Sequence, residues 1–424
     1  MSNLLKKVKL LGDNIPWLHD FRQAGACAFE KCGIPNAKVE AWKYTKPNMF
    51  LDSDFECCVK GQKIVYQPNL PFDTYVINFI NGVFTPDNSH LPDGIEVVPL
   101  IEALMFHPEI REKLGKIYEI DKHPFAALNQ AYTNEGIYIH LPDNCKLDKP
   151  IVVIYHTATE NVHLMCNVHN LIVLENGARA EFVEYFNYAG ELKSCYFNNI
   201  VNEFYIGKNA ELKHYKVQNE AFKAIHLALN NIEVKENGNY KSFCLQKGAD
   251  LARNESRVFL LEAEAKTQID AAYIMNGWAT LDITTDIEHL AAKTFSEQLV
   301  KGVAGGQAKG IFQGKIHIAP YAVKTRGCQQ HRALLLSDDA EIDTKPELEI
   351  FADDVQCSHG SACGQIDREQ LFYMQSRGIS EDDAKKMLVD AYIDEVIAKV
   401  DNEKIISWIK LLLGSDGNKV EMER

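Results

Sequence analysis

Cys357 and His359 are the residues whose types and spacing best suit metal chemistry in this chain. They lie in the run DDVQCSHGSACGQ (353–365), where strand-like patterns end and helical patterns begin. Residues two apart in an extended segment share a face, and thiolate and imidazole are natural ligands for iron or zinc. Two ligands make half of a metal site, so a partner would have to supply the rest. On spacing alone, a structural cysteine beside a capping histidine is the alternative interpretation.

The glycine-rich run 302–310 (GVAGGQAKG) does not fit a phosphate-binding loop. It lacks the Gly-Lys-Ser/Thr ending, and no change from strand to helix surrounds it. We interpret its glycines as turn residues between repeats. The chain is therefore not expected to bind and hydrolyse ATP by itself.

Paired carboxylates are the feature that a carbohydrate-active β-helix enzyme would need. Three pairs occur, and all of them are predicted to lie in turns, where aspartate bonds to its local backbone. The pairs are Asp282 with Asp286, Asp338 with Asp339, and Asp353 with Asp354. Such an enzyme also needs acids grouped on one face of the solenoid, so it is the less favoured alternative.

The residues before the junction follow a strand pattern. Between 138 and 351, short apolar runs such as 151–155 and 171–174 alternate with polar turn signals such as 175–177 and 207–209. Roughly 200 residues of short strands without intervening helices exclude a βαβ fold. The recurring turns favour a β-solenoid, in which each repeat buries one face on its neighbour. A β-sandwich is the competing interpretation.

Helical patterns flank this region on both sides. Residues 17–32 carry apolar residues at nearly a 3.6 period, and 101–128 returns to helix with interruptions at Pro108 and Pro124. The predicted domains are a mixed helical N-terminal region, a β-helix core and a C-terminal helical domain. Their predicted bounds are 1–135, 136–360 and 361–424.

The C-terminal domain is predicted to hold three helices. The first spans 367–377, the second opens at Ser380 with a capping-box pattern, and the third spans 403–413. Apolar residues of the second helix recur with amphipathic spacing, which predicts one apolar face. They are Ala384, Met387, Leu388, Ala391, Tyr392, Val396 and Ile397.

The composition is that of an ordinary globular chain, because 46% of its 424 residues are hydrophobic and 25% are charged. A formal net charge of -14 disfavours nucleic acid and anionic membranes as bulk partners. The 11 cysteines, an odd number, do not fit a secreted disulfide framework. With no apolar run near 20 residues and no signal or transit pattern, we expect a soluble protein of the cytoplasm.

The junction also resembles a known family. The run SDDAEIDTKPELEIFADDVQCSHG (337–360) closely resembles the C-terminal signature of the SufB/SufD family of iron–sulfur cluster assembly proteins. Further segments that resemble the family are 40–45, 124–129, 312–316, 365–367, 371–373 and 376–379. Within the family, Cys-Ser-His-Gly resembles the SufD branch, whereas the SufB branch typically carries Cys-Glu-His-Glu.

The resemblance implies a mainly β fold, a right-handed parallel β-helix core flanked by N-terminal and C-terminal α-helical regions. It implies a scaffold without enzymatic activity, which acts in a SufB–SufC–SufD complex. The chain would pair with a SufB-like paralogue, or with itself, through the end of the β-helix, and would dock a SufC-like ABC ATPase through its C-terminal helices. A transient iron–sulfur cluster would form at the pair's interface, with none held tightly by this chain alone.

The resemblance also assigns roles to residues. His359 corresponds to the family histidine that would face a partner cysteine, and Cys357 to the neighbouring cysteine. Cys363 stands where SufD usually has an apolar residue; it is either an added thiol ligand or, as we expect, a small buried substitute. The candidates for docking the ATPase are Leu371, Phe372, Met374, Met387, Leu388 and Tyr392.

Two alternatives on the family side stay open at this point. One is a SufB-like cluster-bearing paralogue. The other is an autonomous metalloprotein that uses Cys357, His359 and Cys363 together.

Overall fold

The computed structural model describes residues 4, 10, 12–13, 15–47, 54–57, 70–86, 94–158, 163–189 and 195–414. Its helices are α1 (Pro16–Cys32), α2 (Leu100–Phe106), α3 (Pro124–Ala131), α4 (Arg368–Ser376), α5 (Glu381–Ile397) and α6 (Glu403–Gly414). Its strands are β1 (Glu56–Cys57), β2 (Tyr75–Ile80), β3 (Val83–Phe84), β4 (Glu96–Pro99), β5 (Ile137–Leu141), β6 (Ile151–Thr157), β7 (Leu164–Leu174), β8 (Arg179–Tyr188), β9 (Tyr196–Ile206), β10 (Glu211–Glu220), β11 (Ala224–Val234), β12 (Asn239–Gly248), β13 (Leu251–Leu260), β14 (Lys266–Met275), β15 (Thr280–His289), β16 (Phe295–Ala304), β17 (Lys309–Ile318), β18 (Thr325–Leu335), β19 (Glu341–Ile350) and β20 (Val355–Gln365).

The strands wind into a two-sided parallel solenoid. Odd-numbered strands from β5 to β19 lie side by side in one sheet, and even-numbered strands from β6 to β20 lie side by side in the other. Each rung, defined here as one full turn of the chain, therefore gives one strand to each sheet. Tyr215 of β10, for example, pairs in parallel with Val183 of β8 and Phe243 of β12. The predicted solenoid is confirmed, and the β-sandwich interpretation is wrong because these neighbours are parallel and in register.

Several corners that join an odd-numbered strand to the next even-numbered strand contain a residue in the left-handed region of backbone conformation. Gly177 (φ 71°), Asn209 (φ 56°) and Asn237 (φ 51°) all adopt it. Glycine and asparagine tolerate this conformation better than other residues. The turn signals that punctuate the sequence are therefore the corners of the solenoid.

Polar ladders run through the interior of the solenoid. The Asn170 amide donates to Asn202 Oδ1 at 2.8 Å, and the Asn202 amide donates to Asn230 Oδ1 at 2.8 Å, one step per rung. All three residues are buried. A buried amide is tolerated when its neighbours satisfy it, so stacking of equivalent positions makes a polar interior possible.

The glycine-rich run is only partly a turn. Gly305 and Gly306 lie between β16 and β17, but Gly302 and Gly310 lie within those strands. A Cβ at Gly302 would come within 2.0 Å of Tyr273 Cζ, and one at Gly310 within 2.7 Å of Tyr273 Cε2. These two glycines make room for the tyrosine ring, so their interpretation as turn residues is wrong.

The Asp282 and Asp286 pair also departs from the turn interpretation. Both residues lie within β15, and Asp282 is fully buried in an ion pair with Arg253 of β13 at 2.6 Å. A salt bridge replaces the local backbone bonds that were expected of a turn. The pairs at 338–339 and 353–354 do lie in the connections between strands.

The N-terminal helices follow the predicted pattern. The helix predicted at 17–32 is α1, and the region 101–128 breaks into α2, two short 3₁₀ turns and α3, with Pro108 and Pro124 opening new segments. Beyond α1, Trp42 is buried under the Arg253 guanidinium, 4.6 Å from its ring centre. Thr45 donates a short hydrogen bond to Asp282. The segment around Trp42 thus packs on the outer face of the odd-numbered sheet.

The C-terminal helices cover the outer face of the even-numbered sheet. Trp408 of α6 contacts the ring of Tyr185 of β8 in an edge-on arrangement, with 5.0 Å between ring centres. Ser380 caps α5 by accepting from the Asp383 backbone N–H, as predicted. The buried face of α5 differs from the predicted one, because Met387 and Ala391 are exposed. None of the described helices is long and apolar enough to cross a membrane.

Candidate functional site

In the described part of the chain, the solenoid ends at two strands that lack an outer neighbour. β19 and β20 are the terminal strands of their sheets, and each pairs with one strand among the described residues. Every residue of β20 is exposed or half-buried, in contrast to the buried strands of the central rungs. This open end presents unpaired backbone N–H and C=O groups, which are a template for pairing with another chain.

The interior-facing side of β20 carries the candidate ligands. On β18, Gln329 and His331 point into the solenoid and are buried, whereas Gln330 and Arg332 are exposed. β20 lies in register above it, with His359 over Gln329 and Ser361 over His331. Paired residues of parallel strands point to the same face. Alternation along β20 therefore puts Cys357, His359, Ser361 and Cys363 on one interior-facing side, which confirms that Cys357 and His359 share a face.

Cys357 is the more buried of the two predicted ligands. It packs against an apolar cluster that includes Ile316, Ile318 and Leu348. Burial raises the pKa of Cys357, and a hydrogen bond from the Gly327 backbone offsets only part of that rise. The free thiol is therefore protonated at neutral pH, and it would lose its proton only when a metal ion or another cation takes its place.

His359 is exposed at the open end rather than sealed in the core. Its imidazole is therefore accessible to a ligand approaching from beyond the last rung. With Cys357 two residues away on the same face, this chain offers one sulfur and one nitrogen ligand side by side.

Cys363 does not complete this pair. It lies six positions along an extended strand from Cys357, about 20 Å away at roughly 3.3 Å per residue. Among the residues that the structure describes, no three His, Cys, Asp or Glu side chains converge on a possible metal position. The hypothesis of one metal held by Cys357, His359 and Cys363 is therefore wrong for this chain by itself. Cys363 is also exposed, which contradicts the expected buried role.

Sequence reasoning missed a buried polar group directly beneath this face. His331 Nε2 lies 2.8 Å from the Tyr273 hydroxyl, and its Nδ1 lies 3.0 Å from Thr344 Oγ1. The imidazole stacks on Phe312, and burial lowers the pKa of His331 to about 4, so it is neutral. The sequence feature that could have revealed it is the strand-like alternation of residues 327–331, which precede the run that resembles the family. This alternation puts Gln329 and His331 on the interior side.

The predicted docking residues divide into two groups. Phe372 is 72% exposed and Met387 is 53% exposed, whereas Leu371, Met374 and Leu388 are half-buried. These five residues of α4 and α5, with the exposed Tyr373, are called here the α4–α5 patch.

Tyr392 does not belong to this patch. Its backbone carbonyl accepts from Lys301 Nζ of β16 at 2.8 Å, and that ammonium lies 4.2 Å from the centre of its ring. Lys301 is buried and also pairs with Glu395. Tyr392 therefore anchors α5 to the solenoid and is half-buried, and its part in docking stays a prediction.

Comparison with known proteins gives matches along nearly the whole chain. Residues 155–392 match the family described as SUF system FeS cluster assembly, SufBD core domain. Residues 6–153 match the SufBD protein N-terminal region.

Individual relatives are similar over most of their length. An iron–sulfur cluster assembly SufBD family protein of Synechocystis is 29% identical over 396 residues, covering 89% of this chain and 86% of that protein. The iron–sulfur cluster assembly protein SufD of Escherichia coli is 28% identical over 390 residues, covering 91% of this chain and 89% of that protein. The chloroplastic protein ABCI7 of Arabidopsis thaliana is 28% identical over 386 residues, covering 88% of this chain and 80% of that protein.

Proposed function

The chain belongs to the SufBD family of iron–sulfur cluster assembly proteins, and we propose that it serves there as a SufD-type scaffold subunit without catalytic activity of its own. The observation that carries this proposal is the pair Cys357 and His359 on the open end of the solenoid. The pair supplies two metal ligands and leaves the others to be filled. The likeness to the SufD protein of Escherichia coli supports the SufD-type assignment.

The missing ligands would come from a partner seated on the open end. A SufB-like paralogue is the partner that best fits, and a second copy of this chain is the alternative. Pairing of a partner strand with β19 or β20 would satisfy the unpaired backbone groups of these edges. It would also bring the partner's side chains over Cys357 and His359, so that both chains share one site.

The cluster is the cargo of this site. Iron binds thiolate and imidazole, and the proton of the Cys357 thiol leaves when its sulfur binds iron. Two ligands from one chain hold a cluster weakly, so assembly and release would both depend on the partner.

The α4–α5 patch is the surface that we assign to a SufC-like ABC ATPase. The chain has no phosphate-binding loop, so the energy of nucleotide hydrolysis would have to come from another subunit. Exposed aromatic and methionine side chains on a pair of helices suit docking into an apolar groove. Phe372 and Met387 are its most exposed members on their helices.

The test of this proposal is His359→Asn in the purified complex with a SufB-like partner and the ATPase. We expect complex formation to be unchanged and the yield of cluster after anaerobic reconstitution to fall sharply. The matched control is His140→Asn, because His140 lies on β5 at the opposite end of the same sheet and contacts Glu175 rather than the open end. An unchanged cluster yield in His359→Asn would remove this histidine from the function.

A further inference from the structure

Gln329 lies directly beneath His359. The two residues are register partners on β18 and β20, so their side chains stack on the interior-facing side with a strand spacing of about 4.8 Å. Gln329 is 0% exposed, whereas His359 is exposed at the open end. Gln329 is therefore the buried residue directly below His359 in the register.

The amide of Gln329 is held in one orientation by Gly314 of β17. Gln329 Nε2 donates to the Gly314 carbonyl at 3.2 Å. A Cβ at position 314 would lie 2.3 Å from Nε2 and 2.6 Å from Cδ of Gln329, so the glycine is what admits the amide. Because only the amide nitrogen can donate to a carbonyl, Oε1 must point the other way.

Gln329 Oε1 has no hydrogen-bond partner among the described residues. A fully buried amide oxygen without a donor is destabilising, and such atoms are rare in folded proteins. The next side chain above it in the register is the imidazole of His359, which carries an N–H in either neutral tautomer.

We propose that Gln329 is a positioning residue that fixes the tautomer of His359. A rotation of the exposed His359 ring would let one of its nitrogens donate an N–H to Gln329 Oε1, which has no donor in the structure, and the other nitrogen would keep its lone pair for the metal. This inference rests on the proposed function of His359 as a ligand. Metal-binding histidines commonly donate their second nitrogen to a carbonyl or carboxylate oxygen in this way, and this bond also orients the ring.

In this arrangement, Gly314 and Gln329 act together to orient the imidazole of His359. Gly314 admits the glutamine, the glutamine presents its oxygen, and the oxygen selects the imidazole nitrogen that faces the partner. Loss of a residue that orients a metal ligand typically weakens metal binding by about 10- to 100-fold.

The test uses the full chain labelled with ¹⁵N-histidine. Long-range ¹H–¹⁵N spectra report the tautomer of each imidazole, and His359→Asn identifies the signal of His359 by its loss. We expect one tautomer to dominate in the unaltered chain, and Gln329→Leu to shift the ratio toward that of a free imidazole. The matched control is Gln330→Leu, since Gln330 lies next along β18 and faces outward.

A second measurement follows metal binding itself. Titration of the complex with Co²⁺ should show affinity about 10- to 100-fold weaker in Gln329→Leu than in the Gln330→Leu control. If Gln329→Leu fails to fold, Gln329→Met serves instead, because it keeps the length of the side chain without the amide oxygen. An unchanged tautomer ratio together with unchanged Co²⁺ affinity would overturn the inference.

The outcome separates this inference from the proposed function. If His359→Asn lowers cluster yield but Gln329→Leu leaves the tautomer ratio and Co²⁺ affinity unchanged, only the positioning role fails. If His359→Asn itself leaves cluster yield unchanged, the proposed function fails whatever the tautomer ratio shows.

Discussion

Replacing Arg253 by methionine should destabilise the protein strongly. The Arg253 guanidinium binds Asp282 at 2.6 Å, and the side chains of the two residues are 2% and 0% exposed. Without the arginine, Asp282 keeps only hydroxyl partners, Thr45 and Thr284, for a charge that has no access to water. Breaking one side of a buried ion pair typically costs about 3–5 kcal/mol, because the remaining charge is uncompensated.

A second contribution comes from Trp42. The guanidinium lies 4.6 Å from the centre of the Trp42 ring, and a desolvated contact of this kind is worth about 2 kcal/mol. Methionine keeps apolar contact with the ring, so much of this second contribution survives. We therefore expect a net loss of about 3–5 kcal/mol for Arg253→Met.

The assay is a double-mutant cycle measured by urea unfolding. Asp282→Asn removes the more buried of the two carboxylates that Arg253 leaves behind, the other being Glu255. The double variant should therefore be more stable than the sum of the two single losses implies. The control pair is Lys293 and Glu264, whose side chains are more than half exposed and should contribute less than about 1 kcal/mol. Additive losses at Arg253 and Asp282, or a loss below that of the control pair, would refute this account of the buried pair.

Three further predictions follow from other parts of the structure. Phe372→Ser combined with Met387→Ser should weaken binding of the ATPase in a titration without changing the melting temperature. Tyr392→Glu should instead lower the melting temperature. If Tyr392→Glu weakens ATPase binding and the double serine variant does not, the docking surface includes Tyr392 rather than the α4–α5 patch. Gly302→Ala should lower stability by about 1–3 kcal/mol or more, because its Cβ has no room beside a buried ring, and Gly364→Ala, which has open space, should be neutral in the same unfolding assay. Burial raises the pKa of Asp270 to about 7, so between about pH 4 and 7 the folded state holds a proton that the unfolded state has released. Stability therefore falls as pH rises across that window. Asp270→Asn should gain stability relative to the unaltered chain from about pH 4 to 7, and parallel pH profiles would contradict the shift.

The repeating architecture was predictable because its signals are local. Many corners need residues that tolerate left-handed backbone, and Gly177 and Asn209 stand just before β8 and β10. The helix start at Ser380 was predictable for the same reason, since the cap and the N–H that it accepts lie three residues apart.

The contacts between rungs were not predictable from local patterns. Gly302 was assigned to a turn because its neighbours are glycines, but its role is set by Tyr273, which belongs to the preceding rung. Asp282 was assigned to a turn for its type, but Arg253 from the neighbouring strand determines its environment. Without the register between strands, the sequence does not tell which residues about 30 positions apart are stacked.

For the candidate site too, local patterns were predictable and contacts between distant residues were not. Alternation along a strand was enough to place Cys357 and His359 on one side, and the resemblance pointed to the same residues. The same reasoning gave no role to Gln329 and did not foresee that Tyr392 contacts Lys301, because each of these residues has its partner far away in sequence.

We propose that His359 of this chain binds metal in a site completed by a partner. Pulsed electron paramagnetic resonance of the reduced cluster tests it directly, with ¹⁵N-histidine in this chain alone and an unlabelled SufB-like partner. We expect a ¹⁵N coupling to the cluster that disappears in His359→Asn. A cluster without ¹⁵N coupling, or a coupling that persists in His359→Asn, would contradict it.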